Sequence, residues 1–282
     1  MPPAQRKSRS RKYDPATVRG ALNAEVRAVR EAVAVMCAAG DAPQLLEAPT
    51  RLQGWSVRQL IVHIAMGLET LPRLLAERPA PARAELDLQG YLRSMRGRSG
   101  DIAIAGTAVV EEDALPDEGG PQTVVARLDS AAERLAAALA EMDGRTVVTT
   151  RFGAMTVDDF LVTRLLETVV HGDDLTAATG AAIGHERQAL AAVTRLLADA
   201  LAAEAPGGSV EVRIPPFAVV QCVEGPRHTR GTPPNVVETD PMTWIRLATG
   251  RMSWDAALDA AEVSASGERA DLSAQLPLLG RP

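Results

Sequence analysis

Apolar residues recur every three to four positions through most of the chain up to about residue 180, which is the spacing of one face of an α-helix. This pattern predicts four long helices, which run from about Asp14 to Gly40, from Ser56 to about Ala76, from about Thr123 to Met142, and onward from Thr156. Ser56 followed by Gln59 has the spacing of a capping box, and Asp159 is a shorter capping partner for Thr156. Four helices of this kind predict a helical bundle.

A long excursion separates the second predicted helix from the third. The segment from Glu77 to Gly120 is rich in Pro, Gly and acidic residues, and a short helix is expected around Leu86 to Met95. Connections of this length are often functional, and our hypothesis is that this one covers the open side of a site in the bundle. A short β-like run from Arg145 to Arg151 follows the third helix, and Phe152 to Met155 is interpreted as the lead-in to the fourth.

Beyond Gly180 the pattern changes to short, mixed elements. These are a helix from about Arg187 to Glu204, β-like runs at 210–214, 218–223 and 235–238, a helix capped by Asp240 that ends at Ala248, further helices at 253–260 and 270–276, and a short strand at 263–265. Together they predict a small α+β domain. The expected organisation is a basic disordered tail at 1–14, a helical bundle at 15–180 and the α+β domain at 187–282.

Composition narrows the class of protein. With 282 residues the chain is long enough for two domains, and a hydrophobic content of 46% with only 3% aromatics favours helices whose cores are built from small aliphatic residues. The net charge of −6 argues against general nucleic-acid binding, and we expect the basic leader to be a solvated tail. No membrane span or signal peptide is predicted, and Cys37 and Cys222 form no metal-like pair, so we expect a cytoplasmic protein.

The candidate chemistry lies on the second and fourth predicted helices. Glu167 and His171 are four residues apart, so both side chains leave the same helical face, and each lies in an apolar stretch, as does His63. Two imidazoles and one carboxylate suit a divalent cation that keeps open coordination positions. Asp174 follows His171 closely enough to support it as a hydrogen-bond partner. The alternative is an ordinary helix-stabilising pair with an unrelated structural histidine.

The segments that carry these residues resemble a known family. Gly-Trp-Ser-Val-Arg-Gln-Leu-Ile-Val-His at 54–63 and Leu-Leu-Glu-Thr-Val-Val-His-Gly-Asp-Asp-Leu at 165–175 are similar to the mycothiol-dependent maleylpyruvate isomerase family. That resemblance implies a DinB-like four-helix bundle whose metal is bound by His63, Glu167 and His171. The motifs at 238–244 and 249–251 are similar to a sterol-carrier-like domain, so the resemblance covers nearly the whole chain after the tail.

The resemblance also implies a reaction. Zinc is the metal expected, mycothiol is the expected thiol cosubstrate, and the expected activity is isomerisation or S-transfer on a small electrophilic substrate. The isomerases of the family are expected to have a catalytic or substrate-binding arginine in the second domain, for which Arg246 and Arg251 are the candidates. The alternative for either arginine is a surface residue at a helix C-terminus.

Two other functions stay open at this point. Sterol-carrier-like domains enclose apolar ligands, and the run from Pro215 to Val220 has the composition to line such a cavity, although a strand packed in an ordinary core explains it as well. The protein would then be a non-enzymatic carrier of an apolar ligand. A bundle that retains its metal in a regulator or stress-response protein is the remaining possibility.

Overall fold

The computed structural model of the protein describes residues 11–77, 82–97, 120–225 and 234–280. Its helices are α1 (Pro15–Ala38), α2 (Ala42–Leu46), α3 (Val57–Ala76), α4 (Leu88–Gly97), α5 (Pro121–Glu141), α6 (Val157–Thr179), α7 (Arg187–Glu204), α8 (Pro241–Ala248) and α9 (Trp254–Asp259). Its strands are β1 (Val147–Thr150), β2 (Gly153–Thr156), β3 (Val210–Ile214), β4 (Ala218–Cys222), β5 (Val236–Thr239) and β6 (Val263–Ser266). The predicted combination of a helical bundle with a C-terminal α+β part is confirmed.

Helices α1, α5, α3 and α6 form the bundle, and each packs against the next in that cyclic order. Their inward stripes of aliphatic side chains make one core, in which Leu22, Leu60, Leu128 and Leu161 are almost completely buried. Helix α6 differs from the others because its outer side is also covered, by α4, α7 and β2. Polar side chains on α6 are therefore buried along with its apolar ones.

The two helices that carry the candidate site begin at the predicted caps. The Ser56 hydroxyl accepts a hydrogen bond from the Gln59 backbone N–H, and the Gln59 side chain accepts one from the Ser56 N–H, so the capping box is complete. The Thr156 hydroxyl accepts a hydrogen bond from the Asp159 N–H at the start of α6. Because the caps fix where each helix starts, they also fix the height of His63 and Glu167 in the bundle.

The segment before α6 differs from the prediction. Residues 153–156 are not a lead-in but strand β2, which pairs antiparallel with β1. The turn between the strands uses Gly153 at φ +138°, a backbone conformation that side chains other than glycine rarely adopt. The Thr150 hydroxyl closes the turn by donating to the Gly153 carbonyl. Too few residues alternate in this short run for periodicity to reveal a strand.

Within the long excursion, the predicted short helix is present as α4, shifted slightly toward the C-terminus. Leu88, Tyr91 and Leu92 form its buried side, and the helix packs against α6 and α7. Residues 78–81 and 98–119 lie outside the described residues. The hypothesis that the excursion covers the open side of the site therefore stays a prediction.

The C-terminal part contains a four-stranded sheet in the order β4-β3-β5-β6, in which β3 and β5 are parallel and the other neighbours are antiparallel. Val210, Val212 and Ile214 alternate along β3 to give its buried face. The helix predicted at 270–276 is wrong, because this segment forms turns. Pro277 disfavours helical backbone at Leu276, and the Asp271 carboxylate accepts from the Ser273 N–H, which stabilises a turn instead.

Helix α7 joins the two parts of the structure. It packs against α1 and α6 on one side and against β4 and α8 on the other. Arg11 and Tyr13, which the prediction assigns to the tail, lie against this assembly, and Arg11 forms an ion pair with Asp199 of α7. Residues 1–10 lie outside the described residues. Among the described helices, none has both the length and the apolar character needed to cross a membrane.

The capping box yields a stability prediction. Ser56→Ala removes one half of the box, so we expect the free energy of unfolding to fall by about 1 kcal/mol, the usual effect of removing an N-cap side chain. The measurement is urea unfolding followed by circular dichroism. Ser264→Ala, on the exposed surface of β6, is the matched control and should change the transition little. Equal effects from the two variants would contradict a capping contribution.

Candidate metal centre

Three side chains from distant parts of the sequence converge between α3 and α6. His63 lies on α3, and Glu167 and His171 lie one turn apart on α6. One donor atom from each residue lies within 4.8 Å of the others. His171 Nε2 is 3.2 Å from Glu167 Oε2, and the rings of His63 and His171 meet edge to face with centroids 4.9 Å apart. The structure therefore brings together all three residues that the sequence analysis selected.

The cluster is partly exposed to solvent. His171 is buried, at 7% exposure, whereas His63 and Glu167 are only partly buried, and the Glu167 side chain retains 27% exposure. Trp55, in the loop before α3, packs its ring edge to face against His63 at a centroid distance of 4.8 Å. Apolar walls around a partly open polar cluster are typical of a site that admits a small ligand.

The donor set fits a divalent cation. Four ligand atoms around one zinc ion, each about 2.1 Å from the metal, lie about 3.4 Å from one another. His171 Nε2 and Glu167 Oε2, at 3.2 Å, are close to this separation, and no pair of donor atoms in the cluster is more than 4.8 Å apart. Two imidazoles and one carboxylate also leave a tetrahedral ion with a free position. The residues present therefore fit the metal that the family resemblance implies.

The surroundings of the cluster keep His63 neutral and Glu167 ionised. Burial lowers the pKa of His63 to about 3, with a further contribution from the charge of His171, so His63 is neutral at physiological pH. Burial opposes ionisation of Glu167, but its hydrogen bond with His171 and the charge of Arg164 outweigh that effect and lower its pKa. A neutral imidazole and an ionised carboxylate are the forms that bind a metal.

Asp174 orients His171 from the side away from the cluster. Its Oδ2 lies 3.0 Å from His171 Nδ1, and its side chain is completely buried. Burial opposes ionisation of Asp174, yet its contacts with His171 and Arg251 lower its pKa to about 2. A carboxylate that accepts from Nδ1–H leaves Nε2, which faces Glu167, to bind a cation. This geometry supports the predicted contribution of Asp174.

The two candidate arginines contact carboxylates of α6 rather than the donor cluster. Arg251 Nη2 donates to Asp174 Oδ2 at 3.0 Å, and its Nη1 donates to the carbonyl of Thr249 at 2.9 Å, close to the end of α8. Arg246 Nη2 donates to Asp173 Oδ1 at 2.6 Å. Each arginine therefore joins the C-terminal part to the bundle beside the site. A direct contact with substrate stays a prediction for both.

Sequence reasoning missed Arg51 and Asp173. Arg51 Nη1 lies 2.8 Å from Asp173 Oδ2 and 3.7 Å from Asp174 Oδ1. One arginine of the loop before α3 therefore forms ion pairs with both carboxylates. The loop is set by a bridge between Pro49 and Ser56 and by Gly54 at φ +80°. Two adjacent aspartates inside a buried helix were a signal that cations lie nearby, but no spacing in the sequence could say which ones.

Comparison with known proteins places these features in context. The family described as the mycothiol maleylpyruvate isomerase N-terminal domain matches residues 9–176, and the family described as the bacterial SCP ortholog matches residues 186–278. No curated protein sequence matches the chain. The crystal structure of the mycothiol-dependent maleylpyruvate isomerase is similar with a TM-score of 0.56 and 15% identity, over 90% of this chain and 94% of that one.

A histidine-to-alanine mutant of the mycothiol-dependent maleylpyruvate isomerase is also similar, with a TM-score of 0.55 and 16% identity over 90% of this chain and 94% of that one. At this level of identity the similarity of the structures shows the fold. The two family matches together extend across both the bundle and the α+β part.

The contact between Arg251 and Asp174 predicts that the C-terminal part affects metal affinity. Arg251→Gln should weaken zinc binding by about tenfold, because changes to the partners of a ligating histidine typically cost 10-fold to 100-fold in affinity. The measurement is a competition titration of zinc against a chromogenic chelator. Arg246→Gln is the matched control, since it breaks a neighbouring ion pair that does not involve Asp174.

The Arg246→Gln control shows whether Arg251 acts on the metal site or only helps to hold the C-terminal part against the bundle. If Arg251 acts by orienting His171 through Asp174, Arg246→Gln should leave zinc affinity within about twofold of the wild type. Equal losses in both variants would mean that the arginines only hold the two parts together. An unchanged affinity in Arg251→Gln would contradict the prediction outright.

The pKa shifts predict how many protons zinc displaces. Burial acts against protonation of His171, but its hydrogen bonds with Asp174 and Glu167 raise its pKa above the ordinary value, so it is mainly protonated near pH 6. His63 is neutral there. Zinc binding at about pH 6 should therefore release about one proton, and affinity should fall as the pH falls. Calorimetry in buffers of different ionisation enthalpy measures this number, and two protons or none would contradict the assignment.

Proposed function

The chain belongs to the mycothiol maleylpyruvate isomerase N-terminal domain family, with a C-terminal sterol-carrier-like domain, and from this we propose that it is a metal-dependent enzyme. The proposed reaction uses a low-molecular-weight thiol, with mycothiol as the cosubstrate, to isomerise a small electrophilic substrate or to transfer sulfur to it. The observation that carries the proposal is the convergence of His63, Glu167 and His171 in a cluster that is partly exposed to solvent.

Each residue of the cluster has a definite task in this proposal. His63 offers a neutral imidazole, Glu167 offers a carboxylate, and Asp174 holds His171 so that Nε2 points into the cluster. A divalent cation held there, with zinc the expected metal, would keep an external thiol in its thiolate form near neutral pH. The ring of Trp55, which packs edge to face against His63, shields part of the imidazole from bulk water.

The nucleophilic sulfur has to come from outside the chain. Cys37 and Cys222 are both buried free thiols. Burial raises the pKa of Cys37, and it raises the pKa of Cys222 to about 11, so neither is a thiolate at physiological pH. Neither belongs to the donor cluster. This supports a small-molecule thiol as the second substrate, and free thiols also suit the cytoplasm in which we place the protein.

The chemistry of a thiolate accounts for both proposed reactions. Addition of the sulfur to one carbon of an electron-poor double bond forms an S–C bond and leaves a C–C single bond, about which the substrate rotates. Loss of the same thiolate restores the double bond in the other configuration, so the thiol is regenerated. When the substrate carries a leaving group instead, the bond from carbon to that group breaks as the S–C bond forms, the group departs as an anion with the bonding electron pair, and the product is a thioether.

The carrier function receives less support from the fold. The run from Pro215 to Val220 includes the start of β4, where Val219 is 62% exposed and its neighbours Ala218 and Val220 are partly buried. This alternation is typical of a strand with one face on the core and one toward solvent. It does not describe a wall of an enclosed apolar cavity, so we retain the enzyme as the proposed function.

The proposal predicts activity that requires both a thiol and a metal. Zinc-loaded protein should isomerise maleylpyruvate, or conjugate a generic electrophile such as 1-chloro-2,4-dinitrobenzene, only when mycothiol is added. His63→Ala and Glu167→Gln should each reduce the rate by at least about 100-fold, because loss of a ligand exceeds the usual cost of disturbing its partner. Rates are followed by absorbance, with metal content determined on the same samples.

His185→Ala is the matched control for removal of a partly buried histidine. His185 pairs with Glu25 through Nδ1 at 2.9 Å and lies outside the donor cluster, so this variant should retain its metal and its thiol-dependent rate. A wild-type rate in His63→Ala would exclude the cluster as the active site. Thiol-dependent turnover that survives complete removal of metal would exclude metal dependence.

A further inference from the structure

Arg164 is a buried cation that the proposed reaction does not yet use. It lies on α6, one turn before Glu167, and only 9% of the residue is exposed. Guanidinium groups stay charged at any physiological pH and are rarely this buried unless they pair with an anion. Since Arg164 lies beside the donor cluster, we asked which anion it pairs with.

Its contacts within the described residues include no anion. Nε donates to the Thr163 hydroxyl at 3.3 Å and Nη2 donates to the Tyr91 hydroxyl at 3.4 Å, which are long bonds to neutral acceptors. The guanidinium carbon lies 4.8 Å from the centroid of the Phe160 ring. In the part of the chain that the structure describes, no carboxylate lies within 4.0 Å of Arg164.

The other arginines near the site are different in this respect. Arg51, Arg246 and Arg251 each form an ion pair with Asp173 or Asp174. Arg164 Nη1 donates no hydrogen bond in the described structure, and it is not among the buried polar atoms that are sealed from solvent without a partner. One edge of the guanidinium is therefore both free and accessible. A buried charge with an unused donor edge is costly unless a ligand completes it.

The free edge lies next to the donor cluster. Arg164 Nη1 lies 3.8 Å from the point where a Cβ would be on Gly67, and Gly67 is one turn beyond His63 on α3. Arg164 is correspondingly one turn before Glu167 on α6, so the guanidinium occupies the layer of the bundle adjacent to the donors. Its charge also contributes to the lowered pKa values of His63 and Glu167.

We propose that Arg164 is a specificity-determining residue of this site, which binds a carboxylate of the electrophilic substrate and positions the acid beside the donor cluster. A guanidinium presents two parallel N–H donors that match the two oxygens of a carboxylate, which fixes both the position and the orientation of the acid. Bound in this way, the reactive carbons of a short acid lie one helical layer away, beside the donor cluster. This inference rests on the proposed function, since it assigns a substrate-positioning residue of the same site.

Glu167 alone does not account for the arginine. A carboxylate one turn away on the same helix is a natural partner, but Glu167 Oε2 instead lies 3.2 Å from His171 Nε2 and forms no ion pair with Arg164. If Arg164 only offset the charge of Glu167, its removal would alter zinc affinity and stability while leaving carboxylate binding intact. If Arg164 binds the substrate, its removal should weaken carboxylate binding. If it only offsets the charge of Glu167, its removal should instead change zinc affinity and stability.

Binding of a non-reactive acid tests the proposal without requiring turnover. Succinate should bind the zinc-free protein, and Arg164→Gln should weaken that binding by at least about tenfold, whereas succinamide should bind weakly and equally to both forms. Arg164→Lys should give an intermediate loss, because it keeps the charge without the paired donors. Arg187→Gln, which removes an arginine stacked on Phe217 outside the site, should leave succinate binding unchanged. Calorimetry measures each affinity.

Stability and zinc affinity complete the test. Because Arg164→Gln removes a buried charge that forms no ion pair among the described residues, its thermal midpoint should equal or exceed that of the wild type, and its zinc affinity should not fall. Unchanged succinate binding in Arg164→Gln, with a lowered midpoint, would assign the arginine to the fold and overturn the proposal. Should that variant fold poorly, wild-type succinate affinity in Arg164→Lys would overturn it equally.

Kinetic measurements show whether Arg164 contacts the acid or the thiol. They also separate failure of this proposal from failure of the proposed function. With active protein, Arg164→Gln should raise KM for the carboxylic substrate at least about tenfold and leave KM for the thiol unchanged. A raised KM for the thiol alone would mean that Arg164 contacts the thiol rather than the acid, which would contradict the proposal. Succinate binding that depends on Arg164 in a protein without thiol-dependent activity would retain the anion site and reject the enzyme.

Discussion

Helix α6 imposes the strictest physical requirement in this structure, because it is buried on nearly every side and yet carries five ionisable residues within eleven positions: Arg164, Glu167, His171, Asp173 and Asp174. Every one of these charges has lost most of its water and needs a compensating partner. Asp173 and Asp174 pair with arginines of the loop before α3 and of the C-terminal part, Glu167 and His171 pair with groups on α6 itself, and Arg164 has only neutral acceptors among the described residues. The candidate site exists where those partners meet, so the charge requirement of one helix determines where the rest of the molecule packs.

The C-terminal part is therefore connected to the site through side chains as well as through packing. Arg251 contacts Asp174, which contacts His171, and this chain of hydrogen bonds runs from the end of α8 to a proposed metal ligand. Helix α7 provides the apolar contact between the two parts, and Glu25 holds the segment before α7 by accepting from His185 and from the Glu186 N–H. The sterol-carrier-like domain thus supports the geometry of the bundle without adding a residue to the donor cluster.

Local signals in the sequence predicted much of the fold. Ser56 and Thr156 start their helices where the capping pattern placed them, and α7 has the predicted bounds, because caps and helical periodicity are encoded within a few neighbouring residues. The first strand of the hairpin was predicted as a β-like run, but its second strand at 153–156 and the turns at 270–276 were not predicted correctly. In the first case a glycine turn decides the structure, and in the second a proline and a carboxylate override a weak helical pattern.

The donor residues were predictable, whereas their surroundings were not. The spacing of Glu167 and His171 indicated a shared face, and the apolar stretch around His63 made it a candidate that the family resemblance also matched. The pairing of Arg51 and Arg246 with Asp173 instead depends on how distant segments pack. The central claim is that His63, Glu167 and His171 bind one cation that a thiol can reach. X-ray absorption at the zinc edge tests it most directly. The account predicts two imidazole nitrogens at about 2.0 Å, with a new sulfur at about 2.3 Å once a thiol is added. A zinc environment without histidine, or one that the thiol leaves unchanged, would contradict it.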